Sequence, residues 1–279
     1  MIQLGLTGYP LGHSLSPVIH RAAFKACSIQ GNYSLFPIPP DHSGELSELL
    51  ERVREGELTG LNVTIPHKEN IIPMLDALAP TARVIGAVNT VFMQNGVLMG
   101  DNTDVPGFLA DLNRFFDICQ TSITKSKLAL VLGAGGGARA VVHALVQDGW
   151  KIAITSRRSE QAQELINQIS NPDSHITRVD PNSLDALNPD LIVNTTPVGM
   201  LPNVDASPWP ANIPLPSTAA IYDLVYSPRE TKLVKDGLAR GSFATTSLGM
   251  LIEQAALSFE IWTGCNVPRD PLFAALEVL

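Results

Sequence analysis

"LALVLGAGGGARAVVHAL", Leu128 to Leu145, carries three local signals in one stretch. Leu128–Leu132 is a short apolar run with the length and composition of a buried strand. Gly133, Gly135 and Ala138 then fall into a G-x-G-x-x-A pattern, and a helical segment is expected over Ala138–Val146. A second strand is read at Lys151–Thr155. In that setting each small residue has a purpose. Gly133 permits a tight turn, Gly135 lets backbone approach a pyrophosphate, and Ala138 lets the helix pack close to the strand. Ala134, Gly136 and Gly137 complete a turn whose backbone N–H groups, at a helix start, suit phosphate. The stretch therefore predicts a dinucleotide-binding turn of Rossmann type; the alternative is a glycine-rich structural turn.

The next strand runs into "AITSRRSEQ". A site for NAD usually has Asp or Glu about 20 residues on, to hold the ribose 2′-hydroxyl. Here stand Ser156, Arg157 and Arg158, with no acid before Glu160. A carboxylate would repel a 2′-phosphate, whereas a guanidinium binds it in a fork. Arg139, in the first turn of the preceding helix, adds positive charge. These residues predict NADP rather than NAD; the competing reading is two solvated surface arginines.

Strand and helix patterns alternate along most of the chain. Strands are expected at Gln3–Gly8, Tyr33–Ile38, Leu58–Ile65 and Val88–Met93, and helices at Pro17–Cys27, Ser43–Arg54 and Lys68–Leu78. "FMQNGVLMG" places Asn95-Gly96 between apolar runs, a hairpin signal. After the polar stretch "FFDICQTSITKSK" a second series begins, with a helix at Ser159–Ile169, strands at Leu191–Thr195 and Ala220–Val225, and a long helical run over Met250–Gly264. This alternation predicts two α/β domains with mainly parallel sheets and a ligand cleft between them.

Composition narrows the function classes. The 279 residues are 45% hydrophobic and 16% charged, enough for a large core. The net charge of −8 disfavours nucleic acid as a partner. No apolar run reaches the length of a membrane span, and no signal peptide is expected at the start. Cys27, Cys119 and Cys265 are far apart and lack a CxxC pair, so free thiols in a reducing cytoplasm are expected. The six histidines show no metal-ligand spacing, and no metal is expected. His67 reads as a solvated helix-start residue. Trp150, Trp209 and Trp262 read as packing residues.

The first half holds four polar clusters. "HSLSP" sets Ser14 and Ser16 ahead of a helix, either to hold a carboxylate or as ordinary N-capping. "LNVTIPHK" alternates Leu61, Val63 and Ile65 with Asn62 and Thr64, then places Lys68 just past Pro66. "GAVNT" supplies Asn89, and "GDNTD" supplies Asp101, Asn102 and Asp104. Oxidising an alcohol needs a group to take the hydroxyl proton as the carbonyl forms. A lysine beside a carboxylate can do this as a coupled pair. Asn and Thr side chains suit the orientation of a polyol.

The set resembles shikimate dehydrogenase over nearly the whole chain. The resemblance rests on "GYPLGHSLSP", "LNVTIPHK", "GAVNT", "GDNTD", "GAGGGARA", "NTTPVGM", "YDLVYSPRETKL" and "MLIEQAA", in that order. It implies that Ser14, Ser16, Asn62, Thr64, Asn89, Asp104 and Gln254 bind shikimate. It implies Lys68 as the catalytic base or acid, paired with Asp104, and Tyr226 as a tyrosine reaching the substrate from the cofactor side. Thr195, Met200, Leu224 and Met250 are implied to line the nicotinamide end. Some positions depart from the family pattern. Ser156-Arg157-Arg158 replaces the usual Asn-Arg-Thr, Gln161 stands where a second arginine is common, and Ser247 replaces a glycine near the nicotinamide.

The resemblance further implies a discontinuous substrate-binding and catalytic domain, 1–104 plus 248–279, around a Rossmann-type NADP-binding domain, 105–247. The implied activity is reversible NADP-dependent reduction of 3-dehydroshikimate to shikimate by a cytoplasmic monomer or homodimer. Two alternatives stay open: a quinate/shikimate dehydrogenase with wider substrate or NAD use, and a non-catalytic NADP-sensing protein on the same fold.

Overall fold

A computed structural model describes residues 1–119, 127–169 and 174–277. It divides into two compact units, Met1–Gly107 with Leu251–Leu279, and Phe108–Met250. The expected division was 1–104 plus 248–279 around 105–247. The polar stretch expected to separate the two series falls largely on 120–126, outside the described residues.

The first unit contains strands β1 (Ile2–Gly8), β2 (Gly31–Pro37), β3 (Gly60–Val63), β4 (Ala77–Leu78), β5 (Thr90–Gln94) and β6 (Val97–Asp101). Its helices are α1 (Ser16–Ala26), α2 (Ser43–Arg54), α3 (His67–Asn70) and α4 (Pro80–Ile85), and α5 (Asp104–Ile118) begins here. The sheet order is β2-β1-β3-β5-β6-β4. β1 pairs in parallel with β2 and β3, while β3–β5 and β5–β6 are antiparallel. The β5–β6 turn is Asn95-Gly96, with φ of 53° and 80°. Both values lie in the left-handed region that tight hairpin turns demand. The core under this sheet includes Leu46, Leu50, Leu61, Val63, Ile71, Val91 and Leu98.

The helix expected over Lys68–Leu78 ends at Asn70. A 3-10 turn, Ile72–Met74, and strand β4 take its place. Pro73 lacks an N–H and disfavours helical backbone in the residue before it. The Asp76 N–H instead bonds the Leu98 carbonyl at 3.0 Å, and Asp76 accepts from the Leu98 N–H at 2.8 Å.

The second unit holds β7 (Leu128–Leu132), α6 (Gly136–Gln147), β8 (Lys151–Thr155), α7 (Ser159–Ile169), β9 (Ile176–Arg178), β10 (Leu191–Asn194), β11 (Ala220–Asp223), α8 (Lys232–Ala239) and β12 (Ala244–Thr246). The sheet is parallel throughout, in the order β12-β11-β10-β7-β8-β9. Counting strands within this unit gives 3-2-1-4-5-6, the doubly wound Rossmann order with its switch point between β7 and β10.

The chain returns to the first unit within α9 (Leu248–Thr263) and ends in α10 (Asp270–Glu277). Ile252, Ala255, Ala256, Phe259 and Trp262 of α9 are buried. Trp262 passes over Gly60, where an added Cβ would sit 2.1 Å from the indole nitrogen, and its N–H donates to the Val91 carbonyl at 3.1 Å. Cys27 and Cys265, expected as free thiols, are joined as a disulfide across 238 residues of sequence. Their separation along the chain hid a proximity that only the return of α9 creates. Among the described residues no helix is long and apolar enough to cross a membrane.

Candidate active site

Lys68 lies in the single turn of α3, just past the end of β3. Its Nζ donates to Asp104 Oδ2 at 2.7 Å. Asp104 opens α5, and its own N–H is received by Asn102 Oδ1 at 3.0 Å. Lys68 keeps 29% of its side chain exposed and Asp104 14%. The ammonium is thus salt-bridged yet reachable, as a proton donor to a small ligand must be.

Asn89 ties this pair to its surroundings. It precedes β5 and is 2% exposed. Its Nδ2 donates to Asp104 Oδ1 at 3.0 Å and to Thr103 Oγ1 at 2.9 Å, and lies 3.4 Å from Gln254 Oε1. Its Oδ1 receives the Thr103 N–H at 2.8 Å and the Thr90 hydroxyl at 2.9 Å. A carboxamide so occupied at both ends can adopt only one orientation.

Behind Asn89 lies a buried polar group absent from the sequence reading. Ser258, fully buried on α9, has its hydroxyl 3.0 Å from Asn62 Nδ2, 2.7 Å from Thr90 Oγ1 and 3.1 Å from Thr103 Oγ1, and it donates to the Gln254 carbonyl at 3.0 Å. Asn62 itself is 5% exposed. Its Nδ2 also donates to the Asn89 carbonyl at 3.0 Å, and its Oδ1 receives the Tyr33 hydroxyl at 2.8 Å. Burial pushes the Tyr33 phenol well above its ordinary range, opposed by a hydrogen bond with the Ser16 side chain. Tyr33 stacks on His20 with ring centroids 4.1 Å apart. His20 is fully buried with neither ring nitrogen in hydrogen-bonding geometry. Burial lowers its pKa to about 3, an effect the nearby Asn62 side chain offsets only in part.

The structure therefore brings Asn62, Lys68, Asn89, Asp104 and Gln254 into one hydrogen-bonded group. Ser14 and Ser16 sit at the start of α1. The Ser16 N–H donates to Ser14 Oγ at 3.3 Å, and neither serine is the helix N-cap, which is Leu15. Thr64 is half-buried at the end of β3, its N–H bonded to the Thr7 carbonyl at 2.9 Å. His67 corrects an expectation. It is 1% exposed, with Nε2 2.7 Å from the Ile38 carbonyl. The periodicity of a helix lasting one turn carried no burial signal.

The glycine-rich turn of the second unit is built differently. Gly133 has φ of 112°, and a Cβ there would meet Thr195 Oγ1 at 2.6 Å. Gly135 and Gly136, at the start of α6, face open space, while Ala138 is fully buried against the sheet. This is a cradle of open backbone N–H groups, and it fits a pyrophosphate. Arg157 and Arg158 are exposed just past β8 and form no ion pair among the described residues. Ser156 Oγ receives the Arg158 N–H at 3.3 Å. Two unpaired guanidinium groups beside such a cradle fit a 2′-phosphate. Arg139 is half-buried on α6.

At the carboxyl ends of β10 and β11, Thr195 donates its hydroxyl to the Leu132 carbonyl at 2.8 Å. Ser247, which replaces the usual glycine, is buried and donates to the Leu224 carbonyl at 2.7 Å. Leu224, Tyr226 and Met250 are half-buried, and Met200 is exposed on a loop bordering an open depression of about 770 Å³. Burial raises the Tyr226 phenol. Among the described residues no group of three or more His, Cys, Asp or Glu is placed to hold a metal.

Comparison with known proteins identifies relatives of the chain as a whole. The family described as "Shikimate dehydrogenase substrate binding domain" matches residues 6–91, and "Shikimate 5'-dehydrogenase C-terminal domain" matches 248–277. The shikimate dehydrogenase (NADP+) of Salinibacter ruber is 37% identical over 280 residues, covering 98% of this chain and 95% of that protein. The crystal structure of the Thermus thermophilus shikimate 5-dehydrogenase, in complex with NADP(H) and shikimate, superposes with a TM-score of 0.87 at 35% identity, covering 100% of both chains. A Corynebacterium glutamicum quinate dehydrogenase in complex with NAD superposes with a TM-score of 0.86 at 30% identity, covering 100% of this chain and 99% of that one. The chain belongs to the shikimate dehydrogenase family.

Proposed function

We propose that this protein catalyses the reversible NADP-dependent reduction of 3-dehydroshikimate to shikimate, a step of chorismate and aromatic amino acid biosynthesis. The observation that carries this reading is the Lys68–Asp104 pair, held by Asn89 and still open to a ligand. NADPH, when bound, supplies the hydride for the ketone carbon. Lys68 delivers a proton to the ketone oxygen, and in the reverse direction takes it from the alcohol. Asp104 keeps the lysine in place and compensates its charge. Asn89, Gln254, Asn62 and Thr64 orient the ring hydroxyls, and Ser14 and Ser16 hold the carboxylate. Tyr226 contacts the substrate from the cofactor side.

The nucleotide reading assigns the pyrophosphate to Gly133–Gly137 with Arg139. The 2′-phosphate goes to Ser156, Arg157 and Arg158, and the nicotinamide end to Thr195, Met200, Leu224, Ser247 and Met250. On this reading Met1–Gly107 with Leu251–Leu279 binds substrate and Phe108–Met250 binds NADP. The reading includes a cytoplasmic location, which cell fractionation tests.

A spectrophotometric assay tests the whole. Shikimate and NADP+ give absorbance at the reduced-nicotinamide wavelength, and kcat/KM is larger for shikimate than for quinate and larger with NADP+ than with NAD+. Cofactor binding without turnover on any cyclic polyol would contradict the reading.

A further inference from the structure

Asp223 ends β11 and is fully buried, yet no lysine, arginine or histidine pairs with it among the described residues. A buried carboxylate without a counter-ion is costly unless several donors satisfy it. Asp223 has three. Its Oδ1 receives Asn194 Nδ2 at 2.7 Å and the Val225 N–H at 3.0 Å, and its Oδ2 receives the Thr231 hydroxyl at 2.6 Å.

These donors belong to different loops. Asn194 is the last residue of β10, in register with Asp223. Its Oδ1 in turn receives the N–H and hydroxyl of Thr196 at 3.0 and 2.7 Å, and its Nδ2 also reaches the Val198 carbonyl at 3.3 Å. Val225 opens the loop that carries Tyr226. Thr231 caps α8, accepting the Val234 N–H at 3.3 Å. The Asp223 carbonyl receives the Ser247 N–H at 2.8 Å, which brings in the segment after β12. One carboxylate thus fixes the chain on leaving β10 and β11, and its backbone fixes the chain on leaving β12. All three exits lie at the carboxyl edge of a parallel sheet, where open α/β sheets bind ligands.

We infer that Asp223 is a positioning residue for the nicotinamide end of NADP, holding the Thr195–Met200 and Leu224–Tyr226 segments in the shape that receives it. The inference rests on the dehydrogenase reading above. It concerns only one end of the nucleotide. The glycine cradle and Arg157 follow β7 and β8 and make no hydrogen bond to Asp223.

That asymmetry supplies the test. Binding of NADP+ and of adenosine 2′,5′-bisphosphate, which lacks the nicotinamide half, is measured by calorimetry on the intact protein and on Asp223→Asn. The variant keeps the shape but not the charge. NADP+ affinity falls about tenfold, on the scale of one lost charge-assisted hydrogen bond. Affinity for the bisphosphate stays within about twofold. Equal loss for both ligands, or loss for neither, overturns the inference. Should Asp223→Asn fail to fold, Thr231→Val removes one donor and gives the same split at about threefold; an equal effect on both ligands again overturns it. A wild-type protein that binds neither ligand removes the dehydrogenase reading and this inference together. A wild-type protein that turns over shikimate while the variants show no split removes the inference alone.

Discussion

The polar group around Lys68 and the glycine cradle after β7 solve opposite problems. The first is a network of buried and half-buried side chains drawn from β2, β3, α3, β5, α5 and α9. Almost every donor and acceptor in it is matched within the protein. The second is mostly backbone, open to solvent, with two arginines that pair with no acid among the described residues. On the proposed reading, one site presents a single reactive group in one geometry. The other is built to be completed by its ligand. If the proposed roles hold, the comparison teaches that preorganisation is dense where a proton must be placed, and sparse where a nucleotide brings its own charge.

The largest way to break this contrast is Lys68→Met. On the proposed mechanism it removes the proton carrier, and it leaves the network behind it. Stopped-flow or steady-state assay should show kcat down by about 10²–10⁴-fold, with the KM for shikimate nearly unchanged. A large loss of affinity with normal kcat would falsify the role given to Lys68.

Acid tests the dense site as a structure. His20 has its folded pKa lowered to about 3 from 6.5. The unfolded chain therefore binds its proton first as pH falls. The stability tied to neutral His20 is complete above pH 6.5 and is lost between 6.5 and 3, at about 1.4 kcal/mol per pH unit. Urea denaturation at pH 6.5 and 4.5 should show a loss of roughly 2–3 kcal/mol in the wild type that is absent from His20→Phe. Identical pH slopes in both proteins would remove this account.

The open site breaks more gently. Arg157→Ala should raise the KM for NADP+ by about tenfold and leave that for NAD+ unchanged; a parallel rise for both nucleotides would deny the 2′-phosphate contact. The smallest effect sharpens the dense site. Ser258→Ala deprives the Asn62 amide of an acceptor and should cost about 1–3 kcal/mol in thermal or urea unfolding. The KM for shikimate should rise a few-fold and that for NADP+ should stay put.

The same contrast governs how much was readable beforehand. The cradle was legible because strand, glycines, helix and arginines follow one another within about thirty residues, and local pattern is enough. The strands and helices around it matched their expected spans within a few residues for the same reason. The dense site was legible only as fragments. Asn62, Lys68, Asn89 and Asp104 stood out as polar residues at strand ends, but nothing local linked them to one another or to Gln254. Thr90 and Thr103 fell within the quoted motifs without standing out from their neighbours, while Tyr33 and Ser258 gave no signal, since a lone hydroxyl in an apolar strand or helix looks like tolerated polarity. His67 and the Cys27–Cys265 pair failed likewise: burial in a one-turn helix and contact across 238 residues have no periodicity.

The return of the chain through α9 also sets an order of events in time. As the polypeptide leaves the ribosome, Asn62, Thr90 and Thr103 are made long before Ser258, and Cys27 long before Cys265. At about 5–20 residues per second, the intervening second unit takes on the order of ten seconds to synthesise. It can fold in that interval, while the first unit waits with its polar interior unmatched. The unit that holds Lys68 and Asp104 stays incomplete until residues made after the second unit arrive.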